Sequence, residues 1–594
     1  MRGVWLLTAV LAAAWGMGAA AHAGEAMLNH SDVVSFGPAS PDVYRDFWIT
    51  VVEWGGHPES EEGVEAWAEH QVRPAHELGI RYAGGVGMVT EFASFMRQYP
   101  EWEKALCRNV RGEPFTVPWL WDHSWEGKPA YWFCTHDPMF QDFLRKQVVM
   151  AARAGVDGIH VDDHLGSAAP AWLDGCFCED CVAGFRDYLR EHVSRERLTE
   201  LGISDLDTFD YRQYVVSWLD AHPGSWTFSA PLGAEYRTYQ YRYATKVMAD
   251  LREAAERAAG HALTFSANGA PPSPTSIVDY QVLTSFSAEV SHEARLDDGP
   301  AHAYKVAAAL GRPLTATGGG WDWAAVKAGN RSGLVRAWIA QAYAFGQFFM
   351  TPHHQWCYTE ELGTHWYRGP AEDYGPIYRF IREHRGLFDG QESVGQVAVL
   401  YNARAWRDGE GPDREISRAL LEGNVPFDMV VAGDDWVPAK LTREAVARYG
   451  KVIAPAGTTL EGEQQAVLDA LRGEGRLVEW RGGETLSQLP RSWVRVTGAE
   501  NVWAVVRARE DGKSAVVHLL PREYNAETDR VSPAGPVTVS IDAAAFGGRV
   551  FRKATLYAVG SEPVTLEVAV EGGRMTFTAP GVSEWGIVEL TAGV

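Results

Sequence analysis

Over residues 46–390 short apolar segments alternate with amphipathic helical ones, and this alternation constrains the fold more than any other feature of the chain. Two neighbouring strands that run parallel need a long crossover between them, usually a helix, so the pattern predicts parallel βαβ units. Strand candidates fall at 47–53, 80–86, 158–163, 262–267, 280–289, 313–317 and 345–351, with a poorly defined one near 115–119. Eight parallel strands are what an α/β fold of the (β/α)8 TIM-barrel type requires. Residues 140–154 and 239–259 carry apolar side chains at three- and four-residue spacing and are expected to be helices. The long insert 164–235 is expected to form loops at the mouth of the barrel.

Ahead of this region, Arg2 precedes an apolar run, 4–21, that closes on Ala21-His22-Ala23. That is the charge, length and cleavage pattern of a secretory signal peptide, so residues 1–23 are excluded from the fold and a secreted or periplasmic protein is expected. The run is short for a membrane span of about 20 residues. Nothing later in the sequence reads as transmembrane, so no membrane partner is expected after cleavage. The barrel is assigned to 24–390. Beyond it, residues 391–488 alternate strands (near 394–401, 427–431, 452–455 and 477–480) with helices (416–423 and 460–471), the pattern of a small doubly wound α/β domain. No Gly-rich phosphate loop opens its first helix, so no organic cofactor is expected. From 489 to 594, alternating segments at 537–541, 565–570 and 585–590 lie between Gly, Pro and Asn and predict a β-sandwich. With 54 Lys and Arg against 77 Asp and Glu the net charge is −23, which would repel a phosphate backbone and argues against nucleic acid as a partner.

In a parallel barrel, functional groups come from the C-terminal ends of strands. The fourth strand reads Gly155-Val-Asp-Gly-Ile-His-Val-Asp-Asp-His164 and brings Asp162, Asp163 and His164 together where the apolar run stops. The sixth ends at Glu289 and is followed by His292; the first ends at Glu53 and Trp54; the fifth is followed by Asn268; the last runs into His353, His354 and Trp356. Cleaving a glycosidic bond needs two carboxyl groups, and Asp162 and Glu289 supply them, as nucleophile or charge stabiliser and as general acid/base respectively. Successive strand residues point to opposite sides, so Asp162 and Asp163 cannot both face the barrel axis. His160, two residues before Asp162, lies beneath it on the same side, either as a core histidine or in a functional role. The chain has 24 Trp, whose flat faces can stack on sugar rings as well as fill cores. Trp54, Trp321, Trp323 and Trp356 follow strand ends and are the stacking candidates. With Glu53, Asp163, His164, Asn268, His292 and His354 they make up the expected carbohydrate-binding set. The function expected is a glycoside hydrolase acting on an oligo- or polysaccharide. Two alternatives stand beside it: a metal- or His-assisted polysaccharide-degrading enzyme using His164 and His354, and a carbohydrate-binding barrel without catalysis.

Six cysteines are present, three of them crowded into Cys176-Phe-Cys178-Glu-Asp-Cys181. That spacing suits thiolates converging on one cation, a structural zinc, with Cys107 or Cys134 as the fourth ligand. The set Cys107, Cys176, Cys178 and Cys181 is the first choice. One disulfide plus buried thiols is the alternative, reasonable in an exported protein.

The stretch 161–189, with its Val-Asp-Asp-His-Leu-Gly and then Cys-Phe-Cys-Glu-Asp-Cys-Val-Ala-Gly-Phe-Arg-Asp-Tyr-Leu, resembles the region after the fourth strand in family 42 β-galactosidases. There a Cys-x-Cys-x-x-Cys run opens a helix and, with one more Cys, binds zinc. The three-part layout also resembles that family, in which the barrel is followed by a flavodoxin-like trimerisation domain and a β-sandwich. The resemblance therefore implies zinc, a flavodoxin-like domain at 391–488 and a homo-oligomer, a trimer. The catalytic residues depart from it. Asp163-His164 stands where that family has Asn-Glu, and Pro313-Leu-Thr-Ala-Thr-Gly-Gly-Gly320 lacks its nucleophilic Glu. Gly-Val-Asp-Gly-Ile-His-Val-Asp162 instead resembles the fourth strand of α-glycosidases of families 31, 27 and 29, which implies that Asp162 is the nucleophile.

Overall fold

The computed structural model describes residues 28–162; 174–290 apart from 270, 272, 274 and 275; 294–532 apart from 410, 412 and 500; and 535–592. The expected signal peptide lies outside the described residues. Eight strands form one parallel sheet in chain order: β1 (Val34–Ser35), β2 (Val51–Val52), β3 (Arg81–Gly87), β4 (Gly158–Asp162), β5 (Thr264–Asn268), β6 (Ser285–Glu289), β7 (Leu314–Thr317) and β8 (Phe348–Phe349). A parallel bridge between Ser35 and Thr351, with the Thr351 amide 2.9 Å from the Val34 carbonyl oxygen, brings the last strand back to the first. The sheet is a TIM barrel.

Three expectations about its strands need correction. The missing strand is β1 and not 115–119, whose residues form an antiparallel ladder outside the barrel (Thr116 opposite Tyr131) and a short 3-10 turn, Pro118–Leu120. The segment 47–53 shrinks to β2 because a helix, Pro41–Asp46, is capped by Ser40 and ends on Phe47, and Trp48 then takes a left-handed φ of 57°. In the last segment Gly346, at φ 72°, holds the turn that leaves only Phe348–Phe349 as strand.

The helices follow from capping and amphipathic spacing. Helix α1 (Pro138–Arg153) has Asp137 as N-cap, accepting from the Met139 and Phe140 amides, and Pro138 at its first position. Phe140, Phe143, Leu144, Val148 and Ala151 on one stripe bury it against the barrel. Helix α2 (Glu179–His192) begins at Cys178, and α3 (Gly233–Ala259), packed along α1, ends on Gly260 in the left-handed conformation. Helices α4 (Gly299–Ala309), α5 (Gly320–Gly329) and α6 (Ser332–Ala344) complete the surround used below. No helix among the described residues is long and apolar enough to cross a membrane.

Behind the barrel lies a four-stranded parallel sheet of β9 (Val397–Asn402), β10 (Phe427–Ala432), β11 (Val452–Pro455) and β12 (Leu477–Trp480), in spatial order β10-β9-β11-β12. That is a flavodoxin-like order. Helix α7 (Asp413–Glu422) covers it on the barrel side. C-terminal to it, two antiparallel sheets, of six and four strands, pack around their own apolar core, beside a two-stranded ribbon of Tyr524–Asn525 and Arg530–Val531. The short strand Gln391–Ser393 pairs with Val502–Arg509, so the chain joins the sandwich before it enters the α/β sheet. Buried cations tie both domains to the barrel: Lys305 Nζ donates to the Phe427 carbonyl (2.6 Å) and Arg507 Nη1 to the Phe345 carbonyl (3.0 Å).

Candidate active site

The C-terminal ends of the barrel strands open into a cavity of about 750 Å³. Asp162 closes β4, Asn268 closes β5 and Glu289 closes β6, so the two carboxylates stand two strand spacings apart with an amide between them. At about 4.8 Å per spacing their backbones are roughly 10 Å apart, a sugar-sized gap. Asp162 is buried, and its Oδ1 accepts from Asn268 Nδ2 while Thr90 Oγ1 lies 3.5 Å from Oδ2. Glu289 opens to the lumen, but protein surrounds its carboxyl on the other sides. The scarcity of water there, and then the charges of Asp162 and Asp322, push its pKa up to about 7. Asp322 is held by the Gly319 amide at 3.0 Å, in the first turn of α5.

A polar layer lies below these groups, where a barrel core is ordinarily apolar. His160 is two residues before Asp162 and hydrogen-bonds through Nδ1 to Ser266 Oγ (2.9 Å) and through Nε2 to Asn268 Oδ1 (3.0 Å). Glu53 lies deeper still, with Oε1 4.0 Å from His160 Nδ1, and burial lifts its carboxyl to about 8.

Aromatic side chains form the wall. Trp54 packs against Gly85, where a Cβ would come within 1.5 Å of its indole Cδ1. A hairpin of Gln355–Thr359 and Gly363–Tyr367 stands over the cavity with Trp356 directly opposite Trp366. Because side chains alternate along a strand, Trp356, Tyr358, Thr364 and Trp366 share the face that lines the cavity. The other face puts Tyr367 on Trp323 at a centroid distance of 5.3 Å. Asp122 ties the hairpin turn to the loop carrying Trp119 and Trp121, accepting from the Thr364 amide at 2.7 Å. The α/β domain also reaches the cavity, through Trp406 and Arg414. It is docked there by His302, whose Nδ1 lies 2.9 Å from Ser417 Oγ and whose Nε2 lies 3.2 Å from Asp413 Oδ2.

Of the residues singled out in the sequence, Glu53, Trp54, His160, Asp162, Asn268, Glu289 and Trp356 line this cavity. Asp163, His164 and His292 lie outside the described residues. Trp323 is a correction: it is 1% exposed and packs in the core, its indole N–H bonded to Thr317. Trp321 and His354 also stand off the lining, Trp321 edge-on behind Tyr358 and His354 behind Trp366 at 4.1 Å. Sequence reasoning missed Phe36, Thr90, Trp119, Gln355, Tyr358, Trp366, Trp406 and Arg414, all of which line the cavity. The alternation in 355–359 and 363–367 around a short turn was the available signal for two of them.

Some distance away, the sulfurs of Cys134, Cys176, Cys178 and Cys181 all lie within 4.8 Å of one another, and each residue is buried. Cys134 Sγ is 3.4 Å from both Cys181 Sγ and Cys178 Sγ. Cys178 is the N-cap of α2 and Cys181 falls in its first turn, so helical spacing brings both sulfurs to one end. Amides of Arg108 and Cys178 point at Cys176 Sγ, and that of His136 at Cys134 Sγ, at 3.3 to 3.4 Å. None of the six cysteines is in a disulfide. The fourth member of the group is Cys134 and not Cys107. The two lie on either side of the rung in which Leu106 faces Phe133, and Cys107 packs beside the group rather than in it.

No family model matches the chain. It is 26% identical over 581 residues to an α-agarase of Alteromonas agarilytica and 26% identical over 590 residues to an α-agarase of Thalassotalea agarivorans, in each case over 92% of this chain. The chain spans about 40% of the length of these relatives, 40% and 39% respectively. Among solved structures, it is similar to α-L-fucosidase isoenzyme 2 from Paenibacillus thiaminolyticus, with a TM-score of 0.58 and 14% identity over 96% of this chain and all of that one. That likeness is one of fold. The agarases are not β-galactosidases by name, so the family 42 resemblance rests on the cysteine motif and the layout alone.

Proposed function

We propose that this chain is a polysaccharide-cleaving glycoside hydrolase acting on an agar-type galactan, with Asp162 and Glu289 as its catalytic pair. The observation that carries the reading is the placement of those two carboxyls at the ends of β4 and β6, facing one tryptophan-walled cavity, with one of them disposed to hold a proton near neutral pH. The similarity to two α-agarases supports the substrate class. Glu289 protonates the leaving oxygen, and Asp162, acting as the carboxylate, meets the positive charge that develops at the anomeric carbon. Trp356, Trp366 and Tyr358 offer ring faces to the sugar chain, and Trp54 lines the cavity beside His160.

Cys134, Cys176, Cys178 and Cys181 would hold a structural zinc. Four thiolates about 2.3 Å from an ion stand about 3.8 Å apart at the corners of a tetrahedron, close to the 3.4 Å separations found here. The three backbone N–H groups aimed at the sulfurs suit thiolates. The site would be closed to substrate, and its task would be to hold the insert that begins α2. The N-terminal pattern supports export with removal of residues 1–23, and the three-domain layout supports a trimer built through 391–488; N-terminal sequencing of exported protein and light scattering test these.

The test of the reaction is release of reducing ends from agar and from a panel of α- and β-linked glycans. Asp162→Asn and Glu289→Gln should each lower kcat by about 10²- to 10⁴-fold with unchanged circular dichroism. Near-full activity of Asp162→Asn would overturn the assignment.

A further inference from the structure

We propose that Asp162 is held and charge-tuned from beneath by a buried file of positioning residues, Asn268, His160 and Glu53, which carries one movable proton. The proposal rests on Asp162 being the charged carboxylate of the proposed reaction.

The polarity of the file follows from its top member. An ionised carboxylate can only accept hydrogen bonds, so the Asn268 amide must present Nδ2 to Asp162, as it does. Its Oδ1 then faces His160 Nε2 at 3.0 Å, and an oxygen acceptor there requires a proton on Nε2. The opposite ring nitrogen, Nδ1, meets Ser266 Oγ at 2.9 Å, with Glu53 Oε1 at 4.0 Å. The Ser266 and Thr315 hydroxyls lie near the Glu53 carboxyl. Glu53 is only 5% exposed, and its Oε2 has no hydrogen-bond partner. A buried carboxylate left in that state is costly, and the nearest group able to accept or give a proton is His160.

Two proton arrangements fit the same heavy atoms. In one, Glu53 is a neutral acid and His160 a neutral imidazole protonated on Nε2, with the Ser266 hydroxyl donating to Nδ1. In the other, the Ser266 hydroxyl has given its proton to Nδ1 and taken the Glu53 proton in its place, leaving a carboxylate and an imidazolium, and Ser266 accepts from Nδ1–H. One proton leaves oxygen and one N–H bond forms, so the pair stays neutral overall. The second arrangement places a cation one amide away from Asp162 and favours its charged form; the first withdraws that support when the charge on Asp162 is neutralised during reaction. Among the described residues, the other titratable or charged groups around the file are Arg81, Tyr82, Asp157 and His261 on the smaller cavity below Glu53, and Asp162, Glu289, His123, His302, Tyr358 and Arg414 on the one above.

Two measurements test this on the full chain. The first is ¹⁵N NMR of the His160 ring in the resting protein. Nε2 should carry a proton in the wild type and in Glu53→Gln, while Nδ1 should show partial protonation in the wild type and a bare lone pair in Glu53→Gln, whose amide has no proton to give. A bare Nε2 with a protonated Nδ1 in both would overturn the proposal whatever the fate of the catalytic assignment. The second is the pH profile of kcat/KM. Glu53→Gln and Asn268→Ala should move its acid limb upward by about one pH unit, a tenfold change in proton affinity, because each removes support for the charged form of Asp162. His160→Gln, which can keep a donor to Asn268, should recover more activity than His160→Ala. Equal loss in the two His160 variants, with an unmoved acid limb, would reduce the file to packing. An active Asp162→Asn variant would instead sink the catalytic reading on which the inference stands.

Discussion

Glu289 should titrate near neutrality, and Asp162 should be part of the reason. Its carboxyl is pushed from 4.5 to about 7 by poor hydration first, then by the charges of Asp162 and Asp322. At pH 6 such a group is roughly nine-tenths protonated, against about 3% for an ordinary glutamate, a gain of about thirtyfold in the acid form. The perturbation is Asp162→Asn, which removes one like charge and should lower the Glu289 pKa while leaving it above 4.5, since the hydration cause and Asp322 remain. Carbon-13 NMR of the glutamate carboxyls across pH 3–9, assigned through Glu289→Gln, reads both values without requiring activity. In the active protein the same group should set the alkaline limb of the kcat/KM profile, with activity falling as pH rises through about 7 and the acid is lost. The raised value also has a sign for stability. The folded chain holds this proton between pH 4.5 and about 7 where the unfolded chain has released it, so the Glu289 contribution should weaken as pH rises through that window. A Glu289 signal titrating at 4.5, or one indifferent to Asp162→Asn, would refute the reasoning.

Other perturbations probe separate parts of the molecule. Purified protein should contain one zinc per chain by elemental analysis; Cys134→Ser should lose it and unfold at lower temperature, while Cys107→Ser keeps it. Gly85→Ala must displace the Trp54 indole, because the new Cβ would lie 1.5 Å from it; about 1–3 kcal/mol of stability should go in thermal unfolding, with a raised KM. Trp366→Ala removes an exposed ring face above the cavity and should raise KM on polymeric substrate roughly two- to tenfold with little change in kcat, the size of one aromatic contact.

The barrel was legible because apolar period is local. The three- and four-residue spacing over 140–154 and the apolar run into Asp162 are each contained in a short stretch, and α1 and β4 form close to where the pattern puts them. Strand β1 was not legible for the opposite reason. Val34–Ser35 has two residues, too few for any alternation, and is a strand only because Val51 and Val52 lie beside it on one edge and Thr351 on the other. The segment 115–119 has better β composition than β1, yet it pairs with 131 instead of entering the barrel, a choice made by contacts distant in sequence.

The candidate site divides along the same line. Asp162, Glu289 and Asn268 could be named because each terminates a strand and a barrel delivers strand ends to one mouth. Trp323 was misread by that rule, since one further helical turn rotates it off the rim and into the core beneath Tyr367. Trp406 and Arg414 could not be found at all, because they belong to the α/β domain and reach the cavity only through the buried contacts of His302 with Asp413 and Ser417. A resemblance that assigns the α/β domain to trimer contacts gives no reason to look for cavity residues there. The geometry does: Asp413 both accepts from the Trp406 indole at 2.7 Å and faces His302, so the side chains that dock the domain also aim part of the cavity wall. Loosening that contact, as His302→Ala would, should therefore disturb sugar binding from a residue whose own ring is 1% exposed.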